Sequence, residues 1–564
     1  MSWHDLEGLT LLTVLAAAAL FADRRRPQEP MNFRGGRWAG QPPRSSRHPY
    51  GGSPFPNRAS FRQGADARML GHPPRQPTIP WGMRESTIMP ASSMPSGLSR
   101  LSRLLSPTPA NTMGYARWAT ARDTRSLTVP GPTKGRVIIG HSRRRLIAAE
   151  AGHSLLVIGP TQSGKTTGLA IPIIRDWEGP VVAASVKGDL ARQTIEVRSR
   201  VGEVLLYDPL ATTGLPRASW SPLALCTTWT GARRTASDLA AVAQESSASL
   251  SDGDFWYSMA SKLLAPLLLA AATGGFRMAD VVTWIDEQDL VYPLELLSGV
   301  GEKGAVQALR ATLGREERQR SGIFTTTETV IEAFSDPDVA ACEPHTSFAG
   351  SVGEREVTVT GIKGEVVASR LLDDSQTLHL CAPAQDQKRM RPLFATLVSQ
   401  IIAEAYRRSM ARGCQLDPPL LVVLDEAANV APLAELDVLA STAAGHGVQL
   451  VTIWQDLAQL HARYGQKGSS VINNHRAKLF LSGIGDTGTL EHASQLAGEE
   501  DRNVRSRTVD HYGSLSTTDA ASPRRLVPPD ALRRMPPGSG LLLYGHLPPV
   551  RIQLRTTPPV RKKP

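Results

Sequence analysis

A glycine-rich run in the first third of the chain combines a pliable backbone with one lysine and several hydroxyls. Its residues are Gly159, Pro160, Thr161, Gln162, Ser163, Gly164, Lys165, Thr166 and Thr167. The run fits the pattern G-x-x-x-x-G-K-[ST] without a mismatch, and in that pattern backbone N–H groups cradle phosphates. The lysine ammonium meets the β- and γ-phosphates, and the next hydroxyl ligates Mg²⁺. The run therefore predicts a site for ATP and Mg²⁺, with Lys165 on the phosphates and Thr166 on the metal.

Two adjacent carboxylates, Asp425 and Glu426, follow an apolar run at 420–424. Acids often end strands, so this pair is weak evidence by itself, but it complements a phosphate loop. We predict that Asp425 holds Mg²⁺, directly or through water. We expect Glu426, one residue further, to polarise the water that attacks the γ-phosphate.

Gln455 ends another apolar run, at 448–454. At a strand tip its amide could hydrogen-bond the γ-phosphate or the attacking water, and an ordinary strand-end glutamine explains it equally well. Lys187, Gly188 and Asp189 follow the run at 180–185, near the edge where a parallel sheet binds ligands, and a simple turn also accounts for them.

Short apolar runs bounded by turn residues are typical of strands that are buried on both faces of a parallel sheet. They lie at 153–159, 180–185, 204–207, 377–381, 420–424, 448–453, 477–482 and 540–544. Helical patterns alternate with them, as at 166–177 and at 392–408, where Pro392 suits a first helical position. This alternation predicts an α/β fold with a parallel sheet.

The pattern stops between 231 and 358, where helical segments such as 258–272 and 304–313 occur without convincing strands. We predict an all-α domain there, inserted between two parts of a nucleotide-binding domain at 113–230 and 359–556. Residues 557–564 form a basic tail.

The amino-terminal region differs in composition. An uncharged apolar run at 8–22 precedes three arginines, which fits either one membrane span within residues 1–22 or an amphipathic terminus. Residues 23–112 read as a disordered Pro/Arg-rich linker, because 23–110 hold 15 Pro and 14 Arg. Since this segment carries most of the net charge of +11, the high pI is no evidence for a nucleic-acid surface on the folded body. The segment could contact lipid or nucleic-acid phosphates, or be simply solvated.

The four cysteines, Cys226, Cys342, Cys381 and Cys414, are far apart and lack the spacing of a zinc site. We predict that they are buried apolar residues of a protein from a reducing compartment.

In sequence order, the pieces IGPTQSGKTT, SVKGDL, YDPL, TLHLCAP, VVLDEAANVAPLAELDVLASTAAGHGVQLVTIWQDLAQL, VINNHRAKLFLSG and RRLVPPDALRRMPPGSGLLLYG resemble the TraG/TraD-like coupling proteins of conjugative and type IV secretion systems. The resemblance implies a RecA-like P-loop NTPase domain interrupted by an all-α domain. It also implies a hexamer at the cytoplasmic face of a bacterial cell membrane. There, ATP hydrolysis would drive single-stranded DNA with its relaxase toward the secretion channel. Lys165, Thr166, Asp425, Glu426 and Gln455 match the functional positions of the family.

Two features depart from the family pattern. Relatives usually begin with two membrane helices, whereas one short apolar run is present here. Many relatives carry an arginine that reaches the nucleotide of a neighbouring subunit where this chain has Ala444, and Arg463 and Arg476 are the candidate substitutes. Two other functions therefore stay open. One is a double-stranded DNA pump of the chromosome-segregation type, and the other is a nucleotide-binding substrate receptor without motor activity.

Overall fold

A computed structural model describes residues 116–186, 188–246, 253–344, 362–509 and 511–555. The predicted anchor at 1–22, the linker at 23–112, Lys187 and the tail at 557–564 lie outside these ranges. Among the described residues, twelve strands form one mixed sheet. They are β1 (Thr128–Val129), β2 (Ile138–Ser142), β3 (Arg145–Ala148), β4 (Leu155–Ile158), β5 (Val181–Ser185), β6 (Val204–Tyr207), β9 (Thr377–Cys381), β10 (Leu420–Asp425), β11 (Val448–Trp454), β12 (Ala477–Leu481), β15 (Ser539–Tyr544) and β16 (Val550–Gln553).

The strand order is β1-β3-β2-β16-β15-β12-β4-β11-β10-β5-β9-β6. The seven strands from β12 to β6 are parallel, as the alternation of strands and helices predicts. The last predicted strand is different, because β15 runs antiparallel to β12. Its chain enters at the carboxyl edge, where the N–H of Ser482 donates to the carbonyl oxygen of Ser539.

Alternate residues of the parallel strands point into two separate cores. Leu156 and Ile158 of β4 belong to one core, and Leu155 and Val157 belong to the other. Because both faces are covered by helices, these strands read in the sequence as continuous apolar runs.

Helices of the nucleotide-binding domain connect the strands. After a π-helical turn at Thr166–Ala170 they are α1 (Ile171–Asp176) and α2 (Asp189–Arg198), and after the insertion they are α10 (Ala368–Asp373), α11 (Gln387–Arg412), α12 (Leu436–Thr442), α13 (Leu457–Tyr464), α14 (Lys467–Asn474), α15 (Thr487–Ala497) and α16 (Pro529–Arg533). The prediction that Pro392 begins a helix is wrong. Helix α11 starts five residues earlier, in a polar stretch without the apolar periodicity that would reveal it.

The insertion is helical where the structure describes it. Two short parallel strands, β7 (Arg217–Ser219) and β8 (Ile362–Glu365), flank it. Its helices are α3 (Trp229–Ser246), α4 (Gly253–Gly274), α5 (Met278–Asp286), α6 (Val291–Val300), α7 (Lys303–Leu313), α8 (Glu317–Ile331) and α9 (Pro337–Ala341). The bounds 231–358 given to this domain stay a prediction.

Helix α4 forms the centre of the insertion. Among the described helices it alone is long and apolar enough to cross a bilayer by length and composition, yet 67% of its apolar stretch is buried inside the protein. Leu263, Leu264 and Leu267 are fully buried against the neighbouring helices. Burial of this extent is typical of the central helix of a bundle.

A long two-stranded ribbon, β13 (Glu499–Val509) and β14 (Leu515–Arg525), follows α15. Sequence reasoning missed it because its strands are polar rather than apolar. The cysteine prediction is partly wrong. Cys226, Cys342 and Cys381 are buried, but Cys414 is exposed.

Candidate nucleotide-binding site

The glycine-rich run forms a loop between β4 and the π-helical turn that precedes α1. Gln162 and Gly164 adopt left-handed φ angles of 65° and 87°. A Cβ atom at Gly159 would lie 2.7 Å from Ser163 Oγ and 3.0 Å from Leu481 Cβ, so a larger residue would force these side chains to shift. The loop therefore curves back on itself and turns its backbone toward the edge of the sheet.

Lys165 points into this loop. Its ammonium donates hydrogen bonds to the carbonyl oxygens of Gly159 and Pro160, the latter at 2.9 Å, and the residue is only 9% exposed. Burial lowers the pKa of Lys165, while the negative charges of Asp425, Glu426 and Asp456 act to raise it. The lysine is thus a buried cation in the field of three carboxylates.

Asp425 lies at the carboxyl end of β10, and two hydroxyls converge on one of its oxygens. Thr166 Oγ1 donates to Asp425 Oδ2 at 2.9 Å, and Ser185 Oγ donates to the same oxygen at 3.2 Å. Burial raises the pKa of Asp425, whereas these hydrogen bonds and Lys165 lower it in part. Residues that are 259 positions apart in sequence therefore meet in one cluster.

This cluster suits Mg²⁺ by its chemistry. The Thr166 hydroxyl, the Ser185 hydroxyl and the Asp425 carboxylate are all hard oxygen donors. No group of three or more His, Cys, Asp or Glu side chains that could hold a metal occurs within the described ranges. Magnesium usually keeps several waters and takes one or two protein ligands plus substrate phosphates, so a small donor set fits it.

Ser185 was not identified from the sequence. The available signal was its place at the end of the strand next to β10, since Ala184 pairs with Leu424 in parallel register. A serine at a strand end is common, so only the spatial neighbour reveals its role.

Glu426 follows Asp425 and adopts a left-handed φ of 68°, which is unusual for a residue with a side chain. Its carbonyl oxygen accepts hydrogen bonds from the N–H groups of Asn429 at 2.9 Å and Val430 at 3.2 Å. This closed turn redirects the chain immediately after β10. The half-buried carboxylate is close enough to influence the pKa values of Lys165 and Asp425.

Gln455 directly follows β11, the strand between β4 and β10. Its own N–H donates to Gln459 Oε1 at 3.1 Å. The preceding carbonyl, that of Trp454, accepts a hydrogen bond from the N–H of Gly159 at 3.1 Å. The structure therefore brings Gln455 next to the phosphate loop, and the role of its side-chain amide stays a prediction.

Asp456 is a further acid that sequence reasoning missed. It caps α13 by accepting a hydrogen bond from the N–H of Gln459 at 2.7 Å, and its charge acts on Lys165. Gly188 and Asp189, for which the sequence favours neither a ligand role nor a simple turn, lie at the start of α2.

Ala444, where many relatives carry an arginine, lies at the opposite, amino edge of the sheet. Ala444 belongs to a short 3₁₀ turn before β11, and a Cβ atom at Gly152 would lie 3.0 Å from Ala444 Cβ. Arg476 precedes β12 at this same amino edge of the sheet, opposite Lys165. Arg463 lies at the end of α13, near Arg391. The pKa of Arg391 is lowered mainly by burial and in addition by the charge of Arg463. The two candidate substitutes thus lie in different places.

Comparison with known proteins identifies the family and the fold. Residues 117–362 match a family model for "Type IV secretory system Conjugative DNA transfer", and residues 419–537 match one for the "TraM recognition site of TraD and TraG". Conjugal transfer protein TraG of Escherichia coli is 24% identical over 417 residues, covering 68% of this chain and 61% of that protein. Protein VirD4 of Rhizobium rhizogenes is 24% identical over 477 residues, covering 78% of this chain. The chain spans 61% and 64% of the lengths of these two relatives.

Solved structures agree in fold. The bacterial conjugative coupling protein TrwBdeltaN70 has a TM-score of 0.58 at 17% identity, covering 80% of this chain and 95% of that one. TrwB in complex with ADP and Mg²⁺ has a TM-score of 0.57 at 16% identity, covering 80% of this chain and 98% of that one. The fold is a RecA-like P-loop NTPase domain with an inserted all-α domain, and the chain belongs to the TraG/TraD-like family of type IV secretion coupling proteins.

Proposed function

We propose that this protein uses ATP hydrolysis to recruit single-stranded DNA with its attached relaxase and to move it toward a type IV secretion channel. The observation that carries the proposal is the meeting of Lys165, Thr166 and Asp425 at one sheet edge beside a curved glycine-rich loop. The plasmid coupling protein TrwB, solved in complex with ADP and Mg²⁺, shares the fold. ATP hydrolysis by this chain and its binding of DNA and relaxase are themselves proposed.

Each residue of the site has a distinct part in the proposed reaction. The Lys165 ammonium would exchange its two carbonyl contacts for the β- and γ-phosphates of ATP. Thr166 and Asp425 would hold Mg²⁺, which when bound neutralises charge on the phosphates. The Glu426 carboxylate would orient the attacking water and accept its proton. Gln455 would hydrogen-bond the γ-phosphate or that water.

The turnover test uses the purified chain. ATP hydrolysis should be faster with a single-stranded oligonucleotide than with a duplex of the same length. The variant Lys165→Ala should lose ATP binding and hydrolysis, and Glu426→Gln should still bind ATP but hydrolyse it slowly. Stimulation by duplex alone would favour a double-stranded DNA pump instead.

Ala444 favours a second candidate, a nucleotide-binding substrate receptor in which a partner supplies the work. In an assembled ring, an arginine at that position would serve the nucleotide of the neighbouring subunit, and alanine offers no charge. DNA transfer that survives in Glu426→Gln cells while turnover is abolished would support the receptor and reject the motor.

We propose a hexamer at the cytoplasmic face of a bacterial cell membrane as the working assembly. Cell fractionation of the full-length chain and of a variant without residues 1–26 tests the membrane part. Loss of membrane association in the shorter chain would support an anchor in that segment, and unchanged behaviour would reject it. Light scattering with and without DNA and a nucleotide analogue tests the ring.

A further inference from the structure

Arg391, near the start of α11, contacts the loop that begins with Glu426. Arg391 donates from Nε to the carbonyl oxygen of Asn429 at 3.1 Å and from Nη2 to Asn429 Oδ1 at 3.2 Å. Asn429 in turn donates its N–H to the carbonyl oxygen of Glu426 at 2.9 Å. The Arg391 guanidinium therefore hydrogen-bonds both oxygens of Asn429, the residue that closes the Glu426 turn.

Glu426 needs such support because of its backbone. Its φ of 68° is in the left-handed region, where residues with side chains persist only if the surroundings hold them. The direction of the carboxylate depends on that backbone conformation, since the turn starts at the residue itself. If the turn relaxed, the carboxylate would leave its place near Lys165 and Asp425.

The surroundings of Arg391 disfavour its positive charge. Burial lowers its pKa, and the nearby charge of Arg463 lowers it further. Within the described part of the chain, its hydrogen bonds go to the neutral oxygens of Asn429. A half-buried cation beside another cation, without a carboxylate in contact, contributes little to stability. Its geometry points to positioning rather than to stability.

The same helical turn contacts the inserted all-α domain. Arg389, two residues earlier, forms an ion pair with Asp336 and a second contact with Asp386 at 3.2 Å. Asp336 caps α9 of the insertion by accepting a hydrogen bond from the N–H of Asp338 at 2.8 Å. Two arginines on one helical turn thus link the insertion to the Glu426 loop.

Beside this contact there is open space. A cleft of about 380 Å³ lies between the insertion and the start of α11, lined in part by Glu332, Lys388 and Arg389. Next to this cleft the insertion and α11 also share an apolar core, since Phe334, Met390 and Phe394 belong to one cluster of buried residues. Because closely packed side chains transmit displacements, a movement of the insertion would be carried to the start of α11 through this core as well as through the ion pair.

We propose that Arg391 is a positioning residue for Glu426 and that Arg389 couples it to the inserted all-α domain. A movement of the insertion would displace the first turn of α11 and, through Asn429, the carboxylate of Glu426. This inference rests on the proposed function, because it assumes that Glu426 acts in ATP hydrolysis.

The Arg391 step is tested by a double-mutant cycle with R391A, N429A and the combined variant. We measure kcat and KM for ATP hydrolysis and the affinity for a fluorescent ADP analogue. R391A should lower kcat by about tenfold or more, and N429A, which removes Oδ1 but keeps the backbone carbonyl oxygen, should lower it less. Nucleotide affinity should be nearly unchanged in both, because loss of orientation affects the reaction and not binding. The combined variant should match R391A, since the contact that N429A removes is already lost there.

R391K gives a matched control that keeps the charge but loses the planar two-pronged donor. It should not restore kcat. Unchanged kcat in R391A, rescue by R391K, or losses that multiply in the combined variant would overturn the positioning role.

The coupling step is tested by hydrogen exchange of residues 426–435 in the nucleotide-free protein. R389A and R391A should both speed exchange of this segment. R407A is the control, because Arg407 lies on the same helix and, among the residues that the structure describes, its side-chain hydrogen bonds go to nearby Glu404. Exchange in R389A equal to that of the wild type would reject the coupling. Exchange does not depend on turnover, so an inactive wild-type protein would refute the proposed function while this measurement still tested the coupling.

Discussion

At the carboxyl edge of the parallel sheet, hydroxyls, acids and a lysine converge from four segments of the chain, while hydrogen bonds between neighbouring elements close the amino edge. There, Gln449 binds the N–H of Gly152 at 2.9 Å, and His153 Nδ1 lies 2.6 Å from the hydroxyl of Tyr544. The carboxyl edge instead contains a buried carboxylate, a buried lysine and a left-handed glutamate. The difference teaches that a buried cation, a buried carboxylate and a strained backbone occur together where a nucleotide would bind.

The largest expected effect is on turnover at the carboxyl edge. Glu426→Gln keeps the size of the side chain but removes the proton acceptor, so kcat for ATP hydrolysis should fall by about 100-fold or more. Affinity for an ATP analogue should be nearly unchanged. Asp417→Asn is the matched control at the amino edge, where the carboxylate is 71% exposed, and it should keep normal turnover. Equal losses in both variants would remove the functional distinction between the edges.

The next effect concerns the amino edge. If the amino edge needs only a cation to act on the nucleotide of the neighbouring subunit, Ala444→Arg should raise kcat in the assembled ring by about tenfold. The reason is that an arginine supplied in trans stabilises the transition state. Ala444→Gln, similar in length but uncharged, is the control and should leave kcat unchanged. Steady-state hydrolysis is measured at a protein concentration where light scattering shows the assembly. An assembled ring without any gain would show that another group, such as Arg463 or Arg476, already fills this part.

The third effect is on stability and its pH dependence. Burial raises the pKa of Asp425, so ionising this carboxyl costs the folded state more than the unfolded one. Stability from this group is therefore present at low pH and is lost as the pH rises from its ordinary range near ~4 through the raised pKa. Asp425→Asn should be more stable than the wild type above that range, and the advantage should vanish below it.

Thermal unfolding between pH 4 and pH 8 measures this difference, and Asp417→Asn again serves as the exposed control. Magnesium-dependent nucleotide binding should be lost in Asp425→Asn. A variant that is less stable than the wild type at every pH would show that the Thr166 and Ser185 hydrogen bonds outweigh the cost of burial.

The smallest effect is at the amino edge. The Tyr544 hydroxyl accepts a hydrogen bond from the N–H of Glu150 at 2.9 Å and contacts His153. Tyr544→Phe should lower the free energy of unfolding by about 1 kcal/mol while ATP turnover is retained. Denaturant unfolding and hydrolysis are measured on the same preparation. A strong loss of turnover would mean that this edge takes part in the reaction within a single chain.

Much of the fold follows from apolar patterns. The runs at 204–207 and 377–381 coincide with β6 and β9, because strands that are buried on both faces need continuous apolar residues. The polar ribbon of β13 and β14 and the early start of α11 carry no such pattern. They depend on pairing and packing that a local sequence window does not contain.

By itself, the sequence determined the phosphate loop and the acidic pair, because short motifs with fixed spacing specify local backbone geometry and side-chain chemistry. Only the tertiary structure decided which distant groups join them. Ser185 meets Asp425 because β5 pairs with β10, and Arg391 meets Asn429 because α11 packs beside the Glu426 turn. Contacts of this kind arise from sheet order and helix packing, which no local spacing encodes.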